Sequence, residues 1–275
     1  MIIHYSQAGL GTSSPLLRGI IENVIAFYLL GGVPVYASSI FLGMGATLGL
    51  LWVSWQSPDK VALQAVNCGL IALVGGLFLG RVAFIAAHWS YYQANMDEIP
   101  QIYLGGMAWP GALAGGVLAA ILYARFTHLP AGRLLDALIP LAGMLALSAW
   151  FACWLDGCFY GQIHDSWWAL PARNEWGGMA RRVPVQLLGA LLSLGIFWLI
   201  ERLRQRLPAP GLAALLFLIA LLLQLLVLSF LRADPVPAWQ GVHLDSWAAL
   251  GLAGIALLAL LIGVFRARPH RSREG

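Results

Sequence analysis

Apolar residues run along this chain in long blocks, separated by short clusters of Gly, Pro and charge. Seven blocks, at about 34–55, 64–89, 104–124, 134–155, 184–203, 211–231 and 247–266, are each long enough as helix to cross the ~30 Å of a bilayer core. Period-two alternation is absent, which argues against a membrane barrel. Lipid offers no partner to an open peptide group, so such runs must close their own hydrogen bonds as helices. The pattern predicts an all-α, polytopic membrane protein with about seven transmembrane helices.

Residues 1–33 read differently. Leu16 to Leu30 is apolar but carries Arg18, Glu22 and Asn23, and predicts a helix lying in the interface rather than an eighth span. With no basic stretch ahead of it, a cleaved signal peptide is not expected. The organisation expected is an N-terminal interfacial segment (1–33), a seven-helix domain (34–266) and a basic tail (267–275). There is no internal repeat.

Composition sharpens the picture. The chain is 60% apolar and 10% charged over 275 residues, outside the range of soluble domains. Its charge is also uneven. Ten basic residues (Lys60, Arg125, Arg133, Arg202, Arg204, Arg206, Arg266, Arg268, Arg271 and Arg273) fall on one side of a seven-helix arrangement. Arg18, Arg173, Arg181, Arg182 and Arg232 fall on the other. The positive-inside rule then places the N-terminus outside and the C-terminus in the cytoplasm. The net charge of +4 reflects this bias and predicts contact with anionic headgroups, not nucleic acid. The loop 156–183 becomes external, with Trp167, Trp168 and Trp176 suited to headgroup level.

Polar residues gather in one outer layer. Arg81 lies within the second span, where a cation must face the bundle, a lipid phosphate or a wet cavity. Pro110, flanked by Trp109 and Gly111, is expected to break the third helix and free a carbonyl. Trp150, Cys153, Asp156, Gly157, Cys158, Tyr160 and Gly161 form a Gly-rich turn at the end of the fourth span. Arg182 and Gln186 open the fifth, and Arg232 closes the sixth. Cys153 and Cys158 are able to pair on an oxidising face, but nothing in the sequence requires it. Asp136 reads as a helix cap. His88 and His164 lack metal-ligand spacing, so neither a metal nor another cofactor is expected.

In order along the chain, Gly80-Arg81, Gly105-Gly106-Met107-x-x-x-Gly111 and Asp136-Ala-Leu-Ile-Pro140 resemble the bacterial prolipoprotein diacylglyceryl transferase family. So do Cys153-x-x-x-Gly157-Cys158-x-Tyr160-Gly161, Arg182-x-Pro184-x-Gln186-Leu187, and Leu216-Phe-Leu-Ile219 followed by Arg232. The resemblance covers about 34–266. It implies a multi-pass enzyme of the bacterial plasma (inner) membrane that moves the diacylglyceryl group of phosphatidylglycerol to the lipobox cysteine thiol of a prolipoprotein, with glycerol phosphate leaving. The substrates it implies are phosphatidylglycerol and prolipoprotein signal peptides.

The chain departs from the family pattern at its polar positions. The family's His-Gly-Gly is Pro110-Gly111-Ala112, its signature Arg and Asn are Trp150 and Cys153, and its first-span Tyr is Ser38. An Arg and a Glu of the sixth span are Leu225 and Ser229. Transfer needs a thiolate, a phosphate clamp and stabilised leaving-group charge. Arg81, Arg182, Gln186 and Arg232 are the candidate lipid-phosphate ligands, because guanidinium binds phosphate oxygens in pairs. Asp156 and His88 are the base candidates. The expected site is a lipid-accessible cavity walled by the Cys153–Gly161 turn and bounded by Arg81, Trp109-Pro110 and Arg182–Gln186. Two readings stay open: a divergent transferase, and a catalytically silent lipid-binding or complex-forming subunit on the same fold. A solute transporter fits less well, since spans one, three, five and seven offer almost no polar groups at midplane depth.

Overall fold

A computed structural model of the chain describes residues 25–28, 34–102, 105–174 and 176–267. Seven helices in it are long and apolar enough to cross a membrane. They are α1 (Ala37–Gln56), α2 (Asp59–Ala87), α4 (Trp109–Phe126), α6 (Ile139–Asp156), α7 (Val185–Arg204), α8 (Leu212–Ser229) and α9 (Leu244–Ala267). Two short helices, α3 (Trp89–Tyr92) and α5 (Ala131–Ala137), and a 3-10 turn at Met96–Glu98 lie between them. Large apolar side chains such as Leu51, Leu63, Phe78 and Ile255 point outward and are exposed, the arrangement lipid requires. The protein is an all-α, multi-pass membrane protein.

Small residues set the closest packing. Along α2 and α4, Gly75 faces Gly115 so closely that a Cβ on either would strike the other helix. Gly45 and Gly49 of α1 meet Ser148 and Leu141 of α6 in the same way. Between apolar helices in lipid, this close approach supplies the dispersion contact that holds them together. A buried cluster of Val53, Ala65, Cys68, Ala120, Ala124, Leu134 and Leu141 joins α1, α2, α4, α5 and α6. On the other side, Ile139 packs with Phe197, Ile200, Ala213 and Phe217.

Several boundaries differ from the hydropathy reading. The fourth apolar block is two helices, separated at Leu138, with Pro140 in the first turn of α6. Asp136, in α5, caps a different helix from its own. Its carboxylate oxygens accept from Gly211 N–H (2.7 Å) and Ala214 N–H (2.9 Å), at the start of α8. Pro110 does not break a helix. It occupies the first turn of α4, where its missing N–H costs nothing, and the chain before it is non-helical with Gly105 and Gly106 at positive φ.

Short strands, invisible to a hydropathy scan, form three antiparallel hairpins among the described residues. β1 (Ile25–Tyr28) pairs with β2 (Pro34–Tyr36), β3 (Leu170–Arg173) with β4 (Met179–Arg182), and β5 (Ala238–Trp239) with β6 (Val242–His243). The expected interfacial helix over Leu16–Leu30 therefore does not include Ile25–Tyr28, which is strand. The rest of that stretch, and the basic tail from Arg268, lie outside the described residues. The β3–β4 region exposes Trp167 and Trp176.

Candidate functional site

α6 ends in a turn that gathers most of the residues singled out in the sequence. Gly157 takes the left-handed conformation (φ 66°, ψ 42°) that terminates the helix, and Cys158 N–H returns to the Cys153 carbonyl at 2.9 Å. Cys153 and Cys158 are joined by a disulfide, which settles the pairing the sequence left open. Beyond it the chain runs between two neighbours. Gly161 bridges to Arg232 and Ile163 to Arg182, with Ala233 N–H on the Tyr160 carbonyl (2.8 Å) and Val183 N–H on the Gln162 carbonyl (2.9 Å). Gln186 Nε2 donates to the Cys158 carbonyl at 2.9 Å. These ties bring Arg182 and Gln186, from the start of α7, and Arg232, from the end of α8, onto one turn.

The two arginines occupy alternate sides of it. Arg182 lies over the Tyr160 ring, its guanidinium carbon 4.4 Å from the centroid. Arg232 lies over Phe159 at 4.1 Å. Their remaining bonding separates them. Arg232 is closed by carboxylates: Nε and Nη2 pair with Asp234 (Nε at 2.7 Å), and Nη1 with Asp245 at 3.1 Å. Burial acts to lower its pKa, but the hydrogen bonds and charges of Asp234 and Asp245 outweigh that and raise it. Arg182 is different. Nη1 reaches only the Gly161 carbonyl, at 3.4 Å, and Nε is buried with no hydrogen-bond partner among the described residues. Of the arginines on the turn, Arg182 retains the capacity to bind an anion.

Arg81 has none to spare. Its five N–H groups are aimed at backbone carbonyls of one loop: Ile99 (3.1 Å), Gly105 (2.5 Å), Gly106 (3.2 Å), Glu98 (2.7 Å) and Gln101 (3.4 Å). Tyr92 adds a ring contact at 5.4 Å. Gly106 sits at φ +81°, and a Cβ there would come within 2.8 Å of Arg81 Nη1. Arg81 thus ties the backbone at 98–101 and 105–106 to α2, and the N–H groups of this expected phosphate ligand are engaged by those carbonyls. Trp109 packs with the Leu222, Ala249 and Ala253 cluster of α8 and α9. Gly111 is pressed against Leu79 and Ala83 of α2. The Arg81 and Trp109-Pro110 boundary of the expected cavity is therefore taken up by packing.

Trp150 lies against the Gly189 backbone, buried with Val185, Ala190 and Leu228. Its Nε1 donates to Ser193 Oγ at 3.0 Å, and Gln224 ties Ser193 (3.0 Å) to the Gly189 carbonyl (2.7 Å). Ser229 Oγ donates to the Leu226 carbonyl and accepts from Ser246. A self-satisfied network thus fills the bundle behind the turn.

Of the base candidates, His88 is committed to its own helix, with Nδ1 2.9 Å from the Phe84 carbonyl and its ring against Phe84. Asp156 is not committed. Both its carboxylate oxygens are buried with no ion-pair partner among the described residues, and the Ser38 hydroxyl of α1 is the neighbouring side-chain donor, too distant or misaligned for a well-formed bond. At the far end of α7, Gln56, Glu201, Arg204 and Gln205 line a separate open cavity of about 420 Å³. The sequence reading missed Asp234 and Asp245. The Arg-x-Asp spacing at 232–234 was a usable signal for one of them; the other reaches Arg232 only through the β5–β6 hairpin.

Comparison with known proteins bears on this geometry. The family model described as prolipoprotein diacylglyceryl transferase matches residues 24–262. The phosphatidylglycerol–prolipoprotein diacylglyceryl transferase of Brucella anthropi is 28% identical over 225 residues, covering 78% of this chain and 76% of the relative. The enzyme of that name from Dehalococcoides mccartyi is 23% identical over 260 residues, 90% of this chain and 94% of the relative. That of Bacillus licheniformis reaches 35% identity, but over 43% of this chain and 44% of the relative. The ordered Gly, Pro and Arg motifs, the seven apolar helices and a match across almost the whole bundle agree, and the chain belongs to the prolipoprotein diacylglyceryl transferase family.

Proposed function

We propose that this chain is a lipid-binding member of its family that holds phosphatidylglycerol through Arg182 at the Cys153–Gly161 turn, which Gln186 braces, without transferring the diacylglyceryl group. The turn faces the outside of a bacterial plasma membrane, and the C-terminus faces the cytoplasm. The observation that carries the reading is the seat of Trp150. Where the family pattern has an arginine, an indole is buried against Gly189 and its one donor is spent on Ser193. Arg232 and Arg81 are likewise spent, on Asp234 and Asp245 and on loop carbonyls. One uncommitted guanidinium suffices to hold a phosphodiester. Transfer asks for more: the thiol must lose a proton, and glycerol phosphate must leave against stabilising charge.

A second reading rests on Asp156, whose unpartnered carboxylate is a base available at the same turn. On that reading the chain is a transferase with a relocated base, acting on the thiol of a prolipoprotein signal peptide. Complementation separates the two. In a strain depleted of its own transferase, the chain at full membrane expression is expected not to restore lipoprotein maturation. Restoration that is lost in Asp156→Asn would overturn the silent reading in favour of the second. Lipid binding has its own test: native mass spectrometry should show phosphatidylglycerol retained by the purified chain and reduced in Arg182→Ala, and equal retention would remove Arg182 from the lipid site.

A further inference from the structure

The polar groups at the far end of the bundle take no part in that reading. α7 carries 20 residues from Val185 to Arg204, about 30 Å of helix, so its last turn lies across the membrane from the Cys153–Gly161 turn. There the ends of α1 and α7, Asp136 of α5 and the loop into α8 line an open cavity of about 420 Å³. Trp52 and Phe197, one turn before Gln56 and Glu201, meet edge to face at 5.2 Å and fill the bundle side. Leu207 and Pro210 complete the wall.

The lining carries both signs of charge and is incompletely paired. Glu201 accepts from Gln56 Nε2 at 2.9 Å through Oε2, and from Arg204 Nη1 at 3.4 Å through Oε1. That long contact is the one hydrogen bond of the Arg204 guanidinium among the described residues, although it has five N–H groups to donate. Asp136 adds a second carboxylate. A plain anion would face two carboxylates here, and a plain cation would face Arg204. A ligand with an ammonium close to a phosphodiester matches both, the phosphodiester on Arg204 and the ammonium N–H groups on Glu201 and Gln56 Oε1. The flank of the cavity suits a lipid. Trp198, three residues before Glu201, is 55% exposed and carries the Arg202 guanidinium 3.7 Å from its ring centroid. Such a pairing of indole and cation belongs at headgroup level.

We propose that this cavity is a second lipid site, which holds the zwitterionic headgroup of an aminophospholipid such as phosphatidylethanolamine from the leaflet opposite the turn. Arg204 takes the phosphodiester oxygens, Glu201 and Gln56 take the primary ammonium, and the acyl chains lie along α7 past Trp198. A trimethylammonium headgroup has no N–H to give Glu201 and fits less well. A glycerol headgroup brings net negative charge to two carboxylates and fits worst. Neither Arg182 nor Gln186 takes part, so the site stands apart from the phosphatidylglycerol reading.

The test uses the full-length chain in nanodiscs holding equal parts of dioleoyl phosphatidylethanolamine, phosphatidylcholine and phosphatidylglycerol, with retained lipid read by native mass spectrometry. Phosphatidylethanolamine is expected to be kept about tenfold over phosphatidylcholine, the preference that one charge-assisted hydrogen bond supports. Retention should fall stepwise through the N-methyl and N,N-dimethyl headgroups. Glu201→Gln should erase the preference for phosphatidylethanolamine over phosphatidylcholine, and Arg204→Ala should weaken retention of both. Neither variant is expected to change the phosphatidylglycerol held at Arg182, and Arg182→Ala should leave phosphatidylethanolamine in place. The proposal is overturned by a flat methylation series on the wild type, which needs no variant, or by a preference that survives both Glu201→Gln and Arg204→Ala. It is also overturned if glycerophosphoethanolamine, the headgroup without chains, binds as tightly as the lipid, which would make the ligand a soluble one. Absence of phosphatidylglycerol from the wild type would end the earlier reading and leave the phosphatidylethanolamine result standing.

Discussion

The Trp150 indole rests directly on the backbone of Gly189, with no room for a side chain between them. Gly189→Ala should therefore overpack the α6–α7 contact and cost about 1–3 kcal/mol, read as a fall in the melting temperature of the detergent-solubilised protein. A variant melting at or above the wild type would mean the indole is not seated there.

Arg81 should behave as a scaffold residue. Arg81→Ala strands the carbonyls of Glu98, Ile99, Gln101, Gly105 and Gly106 and is expected to destabilise by at least about 2 kcal/mol. Limited proteolysis between Gln93 and Ala108 should speed up while the rest of the bundle stays protected. Arg81→Lys, with three donors and no planar fork, should rescue this only in part. Loss of bound phosphatidylglycerol without loop cleavage would instead return Arg81 to the lipid site.

Arg232 stabilises through a charge whose pKa is raised on folding, against the effect of burial. Such a group contributes fully at pH values below its unfolded pKa, which for arginine is above ~12. Its contribution is lost only as pH rises past the still higher folded value. The difference in stability between wild type and Arg232→Met should then be flat between pH 7 and 9 with respect to arginine ionisation. Its size should be about 3–5 kcal/mol, because Asp234 and Asp245 are left facing each other without a cation. A difference under about 1 kcal/mol would show the cluster to be solvated.

Asp136 is a cap delivered from another helix. Asp136→Ala should cost ~1–2 kcal/mol and fray the start of α8 first, visible as faster hydrogen exchange at Gly211 and Ala214. Asp136→Asn keeps one acceptor and should cost less than Ala, but at least the ~0.3–1 kcal/mol that a full negative charge adds at a helix N-terminus. Equal losses in the two variants would point to packing rather than capping.

Orientation is open to labelling. With the wild-type cysteines replaced, His164→Cys should react with an impermeant maleimide on intact cells and Ser272→Cys only after lysis. Labelling of Ser272→Cys in intact cells would invert the topology and move the turn to the cytoplasmic side.

The hydropathy pattern was enough to find the seven membrane-length helices among the described residues, because in lipid the requirement is on length and apolarity, which are properties of the chain alone. The helix boundaries were less legible. Pro110 reads equally as a kink or as a first-turn residue until the partner of the preceding backbone is known, and Ala108 N–H in fact bonds to the Gly80 carbonyl. The hairpins among the described residues have strands of two to four residues, too short to leave a periodic signal.

The outer layer of candidate residues was also readable, since depth follows from counting along each span. What counting cannot give is where a donor is spent. Arg81, Arg182 and Arg232 look alike in sequence, yet one clamps a loop, one is sealed by two carboxylates and one keeps a buried Nε free. Likewise, the spacing of Cys153 and Cys158 allowed a bond but did not require it, and nothing in the sequence separated Asp156 from His88 as a base candidate. The sequence by itself determined the solvent, the helices and the family, which rest on composition and local order. Only the tertiary structure decided which polar groups are already satisfied, because most of the partners lie far along the chain: Asp245 is 13 residues from Arg232, Glu98 is 17 from Arg81 and Ala214 is 78 from Asp136.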